Sequence, residues 1–320
     1  MNIATHEKER CSRDDTHIME SERMDKKKEN LFECLWIWAG SGNVEALRAG
    51  LAKNPQLGRA AHKDNGETLL VHALKNRQSD CALALIPLSN AKRRSKGGEL
   101  PLALAARCGF EACVEALIPL SAPVSAKDGL FALNAATEKG REEAARAILK
   151  AHPEWALASD PGGVTALMTA LLWNEKGCAR IIFPYSDQHA QERGGNSILQ
   201  LAARMGFGDI VRQVISLDGA RRRTVSGMTP LMAAATNGGE NEDLAMDCVE
   251  ALLPWSDIGH RSRRTEYWHK GLSAEDIARK GGLHRVAELI SSFDAAQKER
   301  ARLGRHIGEP KAPRSPASRL

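Results

Sequence analysis

Apolar and small residues recur along this chain with a period of about 32 positions. A segment of the form Gly-x-x-x-Leu followed by small residues reads GETLLVHAL from Gly66, GELPLALAA from Gly98, GLFALNAAT from Gly129 and GVTALMTAL from Gly163. It continues as GNSILQLAA from Gly195, GMTPLMAAA from Gly227 and GLSAEDIAR from Gly271. Successive glycines stand 32, 31, 34, 32, 32 and 44 residues apart. A fixed period of this length marks a repeat architecture, in which no unit buries its apolar face alone. After each glycine, Leu and Ala on one face (Leu102, Ala105, Ala106) predict a short first helix. Gly109, Gly140, Gly206 and Gly238 mark the turn that follows it. A second helix comes next, with Cys113, Ala116, Leu117 and Leu120 at the i, i+3, i+4, i+7 spacing of an amphipathic face. Pro87, Pro119, Pro184 and Pro254 are expected to end it, because proline lacks the amide donor and clashes with the preceding turn. A polar loop then leads to the next glycine.

These units resemble the ankyrin repeat over roughly residues 31–292. Thr229-Pro230-Leu231-Met232 stands nearest to the family's TPLH-type text. The family's His is replaced by Val71, Ala103, Asn134, Met168, Gln200 and Met232, so the hydrogen bonds that His makes are expected to be missing. The Pro-x-Ser endings (Pro87-Leu88-Ser89, Pro119-Leu120-Ser121, Pro184-Tyr185-Ser186, Pro254-Trp255-Ser256) look like a bacterial variant of the family. The resemblance implies an all-α, ankyrin-like α-solenoid of about eight helix-turn-helix units including caps. Leu31–Lys53 would be the first unit and Gly271–Ser292 the closing one. Residues 29–294 then form the array. Residues 1–28 are expected to be a charged, disordered segment, and residues 295–320, with Pro310, Pro313 and Pro316, a basic, disordered tail.

Composition changes this picture in two respects. Aromatics make up only 4% of the chain, so Leu, Ala, Ile and Val must supply the core, as suits close-packed helices. The net charge is +5, and residues 295–320, with seven Lys or Arg and two Glu, hold the whole excess. The near-neutral body makes nucleic acid a weak expectation as partner. The seven Cys form no CxxC pair, and no apolar run reaches signal-peptide or membrane-span length. Both features point to free thiols, no membrane association and a cytoplasmic monomer.

Candidate chemistry is sparse. Cys81, Cys113 and Cys178 each lie 15 residues after their glycine, and Cys248 is their equivalent in a longer unit. Recurrence at one position points to a small buried side chain on the second helix, not to metal or redox chemistry. His260 and His269 share one long loop and read as solvated; there is no HExxH. Neither GxSxG nor GxxxxGK[ST] occurs. The expectation is a protein with no catalytic residue, no metal and no cofactor.

The irregular loops, or fingers, carry the binding expectation. The 44-residue step includes an insertion around Gly239-Glu240-Asn241-Glu242-Asp243 and a lengthened loop from His260 to Lys270. That loop holds Arg261, Arg263, Arg264, Tyr267 and Trp268, residue types enriched where proteins bind proteins. Arg93 and Arg94 in one finger and Arg222 and Arg223 in another would add a positive strip suited to an acidic partner. Trp173 stands out on the expected concave face, among Lys75, Arg107, Leu172 and Arg204. The leading expectation is a non-catalytic scaffold or adaptor that binds a protein through fingers and first helices. Two readings stand beside it: a bacterial effector exported to act on a host protein, and a nucleic-acid-associated protein using basic fingers and tail.

Overall fold

The computed structural model describes residues 26–121, 125–236, 241–262 and 271–304. These residues form helical hairpins and divide into two compact units, Met1–Ala158 and Ser159–Leu320.

The first unit holds four hairpins: a helix over 26–41 (α1) with α2 (Val44–Lys53), α3 (Leu69–Lys75) with α4 (Ser79–Leu85), α5 (Pro101–Cys108) with α6 (Glu111–Ser121), and α7 (Ala126–Thr137) with α8 (Glu142–Ala151). The second unit holds α9 (Ala166–Leu172) with α10 (Lys176–Ile182), α11 (Ile198–Met205) with α12 (Gly208–Asp218), α13 (Pro230–Ala235) with α14 (Glu242–Leu252), and α15 (Ala274–Lys280) with α16 (His284–Gly304). Like packs on like. In the first unit α3, α5 and α7 stack in one row and α2, α4, α6 and α8 in another. In the second, α9, α11, α13 and α15 form one row and α12, α14 and α16 the other. Interior first helices such as α5 are buried almost all round, with Leu102, Ala103, Leu104, Ala105 and Ala106 all in the core, whereas α15 buries only Ala274, Ile277 and Ala278. A fully buried Leu stabilises by roughly 1.5–3 kcal/mol, and small Ala partners let neighbouring helices approach. The recurrent cysteines are buried as expected, and Cys113 Sγ reaches Ser79 O at 3.6 Å. Burial pushes the Cys113 thiol up to about 11 and the Cys248 thiol up to about 12.

Most first helices start with a side-chain N-cap, whereas α5 follows Leu100 with Pro101 in its first turn and has no such cap. Thr68, Thr165, Ser197, Thr229 and Ser273 accept from the backbone amide three residues on. At Gln200 a bond expected to be lost is replaced: its amide donates to Met228 O at 3.0 Å and Arg222 O at 3.5 Å, holding the loop of the next hairpin.

Several details depart from the sequence reading. Gly66, Gly98, Gly163, Gly195, Gly227 and Gly271 adopt positive φ, but Gly129 lies inside α7. Ser125 caps α7 by accepting from Asp128 N, which starts the helix before the glycine. Gly129 is required by space instead, since a Cβ there would lie 2.1 Å from Trp155 Cδ2. Pro119 does not end α6, which continues to Ser121, whereas Pro87, Pro184 and Pro254 each sit in a 3-10 turn after the helix. Leu120 is exposed rather than buried, because α4 beside it has already given way to a 3-10 turn and Cys113, Val114, Leu117 and Ile118 form the inner stripe. The hairpin turns of α3 and α9 lack glycine, and Arg77 (φ 61) and Asn174 (φ 57) take the left-handed position themselves.

Helix α16 runs to Gly304, so residues 295–304, expected to be tail, are helical. Their Ala, Gln, Lys, Glu and Arg favour helix, and Lys298 pairs with Asp294 one turn away. Its start is held by Glu242, whose carboxylate accepts from Arg285 N and Val286 N where helix N-termini favour negative charge. At the other end α1 begins by residue 26, inside the expected charged segment. The rest of residues 1–28 and the tail beyond Gly304 lie outside the described residues.

Candidate interaction surface

The fingers are tight backbone hairpins between a second helix and the next first helix. In one, Ser95 N donates to Glu99 O and Gly98 N to Ser95 O, both at 2.8 Å. The same closure recurs at Thr224, whose N donates to Met228 O at 3.0 Å and whose O accepts from Gly227 N at 2.9 Å. In the second unit neighbouring fingers are joined through the backbone: Arg193 N donates to Gly162 O at 2.8 Å and Val225 N to Gly194 O at 3.2 Å. The long finger closes at its base, where Ser262 N donates to Leu272 O at 3.0 Å and Gly271 N to Ser262 O at 3.2 Å.

Comparison with known families bears directly on this geometry. A model of ankyrin repeats in three copies matches residues 35–128, and a model of the single ankyrin repeat matches residues 226–263. The chain contains ankyrin repeats. Among solved structures, the ankyrin repeat domain of Bcl-3, described as a unique member of the IkappaB protein family, is similar with a TM-score of 0.53 and 21% identity. That similarity covers 68% of this chain and 96% of the Bcl-3 chain. No curated protein matches this chain in sequence. The fold is an all-α, ankyrin-like solenoid.

The residues expected to bind fall into three groups on these ankyrin hairpins. Several are bound to their own chain. Arg94 donates through Nη1 to Gly98 O at 2.9 Å and through Nη2 to Asp128 Oδ1 at 2.8 Å, and Arg93 Nη2 reaches Gly66 O at 3.4 Å. Burial would raise the Asp128 carboxyl, but hydrogen bonds from Arg94 and Ser125 outweigh it and hold the group below its ordinary value. Arg261 Nη1 donates to Gly271 O at 2.8 Å and to Asp276 Oδ2 at 3.1 Å, strapping the base of the long finger. Hydrogen bonds from Ser273, with burial opposing and Arg261 assisting, lower the Asp276 carboxyl. On the first helices of the first unit, Lys75 pairs with Glu67 and Arg107 with Glu99. His260, expected to be solvated, is half-buried and bonds Gly227 O at 3.1 Å.

A second group is exposed. Arg222 and Arg223 lie on the surface of their finger. Trp173 is 55% exposed at the C-terminal end of α9, next to Leu172 at 40%. The third group, Arg263, Arg264, Tyr267 and Trp268 together with His269, lies outside the described residues, as does Gly238.

One aromatic cluster had no counterpart in the sequence reading. The Trp36 ring stacks on His72 at 3.8 Å between centroids and tilts against His62 at 4.5 Å, with Phe32 completing the group. Its members come from two hairpins and the finger between them, so no local spacing signals it. Among the described residues, no group of three His, Cys, Asp or Glu is gathered as a metal site, and no helix is long and apolar enough to cross a membrane.

Proposed function

We propose that this chain is a non-catalytic protein-interaction scaffold, binding a protein partner through its ankyrin fingers and the first-helix face. The observation that carries this reading is the paired exposure of Trp173 and Leu172 at the end of α9, a helix otherwise buried from Ala166 to Leu171. An apolar pair of this kind, presented on a preformed helix, loses little side-chain freedom on binding and supplies a hot-spot anchor. Arg222 and Arg223 add positive charge from a finger of the same unit, which suits a partner with carboxylates. Trp268, Tyr267, Arg263 and Arg264 are proposed to extend the contact along the long finger. Arg94 and Arg261 act in this reading as positioning residues, because their guanidinium groups hold finger backbone. The ankyrin match and the fold shared with Bcl-3 support interaction over catalysis.

The test is affinity capture from the native lysate followed by mass spectrometry, comparing wild type, Trp173→Ala and the double variant Arg264→Glu/Trp268→Ala. Truncating a central anchor costs about 2 kcal/mol or more, so partner recovery should fall at least tenfold. Equal recovery by all three proteins overturns the surface. Recovery of nucleic acid with a steep salt dependence would favour the basic-finger reading instead.

A further inference from the structure

A groove in the first unit has no role in the finger surface. It occupies about 330 Å³ where three successive hairpins end, lined by Arg59, Ile86, Pro87, Ala91, Lys92 and Leu120, with Ser89 and Asn90 at its rim. Local sequence builds it. The 3-10 turn Pro55–Arg59 closes onto the turn Ile86–Leu88 because Gly58 has no side chain; a Cβ there would meet Leu88 Cβ at 2.8 Å. Ser89 Oγ then donates to Gly58 O at 3.2 Å, and Asn90 Oδ1 accepts from Lys92 N at 3.0 Å. These contacts fix the backbone that carries both cations. Leu120, 45% exposed at the end of α6, forms the far wall.

The cations distinguish this groove from an ordinary surface dent. Within the same basic finger Arg93 and Arg94 bond backbone carbonyls, while the side chains of Arg59 and Lys92 take no partner among the described residues. Among the described residues, no carboxylate lines the groove. Two cations without a carboxylate partner among the described residues flank an aliphatic floor, so the complementary ligand carries carboxylate beside an aliphatic side chain. The volume is at the low end for a binding pocket and admits one or two side chains. Among the described residues no aromatic ring lines it, so they offer no platform for a stacked base.

We propose that this groove is a second docking site, taking a short acidic protein segment in which an Asp or Glu lies beside Leu, Ile, Val or Met. The carboxylate meets Arg59 and Lys92, and the apolar side chain packs on Ile86, Pro87 and Leu120. This site shares no residue with the Trp173, Arg222, Arg223 and long-finger contacts proposed above and can stand or fall without them.

The experiment is phage display of random dodecapeptides on the full-length protein, with Arg59→Glu/Lys92→Glu as counter-target. Selected peptides are then synthesised and measured by fluorescence anisotropy. Both charge reversals are on exposed side chains, and circular dichroism checks that folding is retained. The expected result is enrichment of acidic-aliphatic motifs whose affinity falls at least tenfold for the double variant and for Leu120→Asp, with Arg264→Glu/Trp268→Ala unchanged. Peptides lacking carboxylates, or equal binding to wild type and both groove variants, would overturn the proposal. So would tighter, charge-reversal-sensitive binding of a 20-mer DNA duplex or of phosphatidylserine vesicles than of any selected peptide.

Discussion

Replacing Gly129 with Ala sets two effects against each other. In a helix interior Ala is favoured over Gly by roughly 0.5–1 kcal/mol, because glycine loses more backbone freedom on folding. At this position the added methyl would lie 2.1 Å from Trp155 Cδ2 and 2.4 Å from Cγ, far inside van der Waals contact. The indole cannot retreat: it is 4% exposed, and the His152 ring stacks on it at 4.2 Å. Overpacking of this kind costs about 1–3 kcal/mol, so the steric term wins and the variant should lose about 1–2 kcal/mol. Thermal unfolding followed at 222 nm should show a midpoint roughly 2–3 °C below wild type. A Trp155→Leu background removes the clash, and a double-mutant cycle should give a coupling of about 1 kcal/mol or more. A raised midpoint for Gly129→Ala, as at an ordinary helical glycine, would refute the claim that α7 is fitted around this ring.

Two further outcomes follow from burial and charge. In a Cys11→Ser background at pH 8, a thiol-specific disulfide reagent should modify exposed Cys34 first, with Cys113 and Cys248 protected until denaturant is added, since burial keeps both as thiols. Uniform modification of all cysteines in the native protein would contradict the packing described. The Asp128 carboxyl, held low, stabilises the fold above its unfolded value, and that contribution is lost as pH falls through the folded value, below about pH 4. Arg94→Gln should therefore raise the Asp128 carboxyl in an NMR titration and destabilise the chain more at pH 7 than at pH 3; an unchanged titration would show that the ion pair does not form in solution.

The hairpin rhythm was legible because it rests on apolar periodicity, which the chain repeats at every unit. The buried cysteines were legible for the same reason: one position recurring with one small side chain reports one packing site. The misreadings share a different cause. Gly129 matches its neighbours in text, yet a serine four residues earlier caps the helix and changes what the glycine is for. Arg77 and Asn174 take a left-handed turn that elsewhere falls to glycine; asparagine tolerates that conformation, but nothing in the Arg77 side chain announces it. They stand 97 residues apart, and the proline turns Pro55–Arg59 and Pro153–Leu157 begin 98 apart. The chain thus repeats on a longer scale than the single unit. Arg94 and Arg261 are exposed cations, as the loop sequence suggests; what it does not encode is their carboxylate partners, Asp128 and Asp276, which lie 34 and 15 residues away. The Arg59–Leu120 groove was invisible because its walls come from three units and its charge only stands out once the neighbouring arginines are satisfied.

The straps at Arg94 and Arg261 bear on how this protein's mutational maps will read. Truncating either side chain frees two acceptors and loosens a loop, so a scan scored only by partner binding would rank both among the contact residues. Amide exchange across each finger separates the cases: a true contact leaves protection intact in the free protein, whereas a lost strap raises exchange before any partner is added. Without that second measurement a strap and a contact would score alike at these two positions.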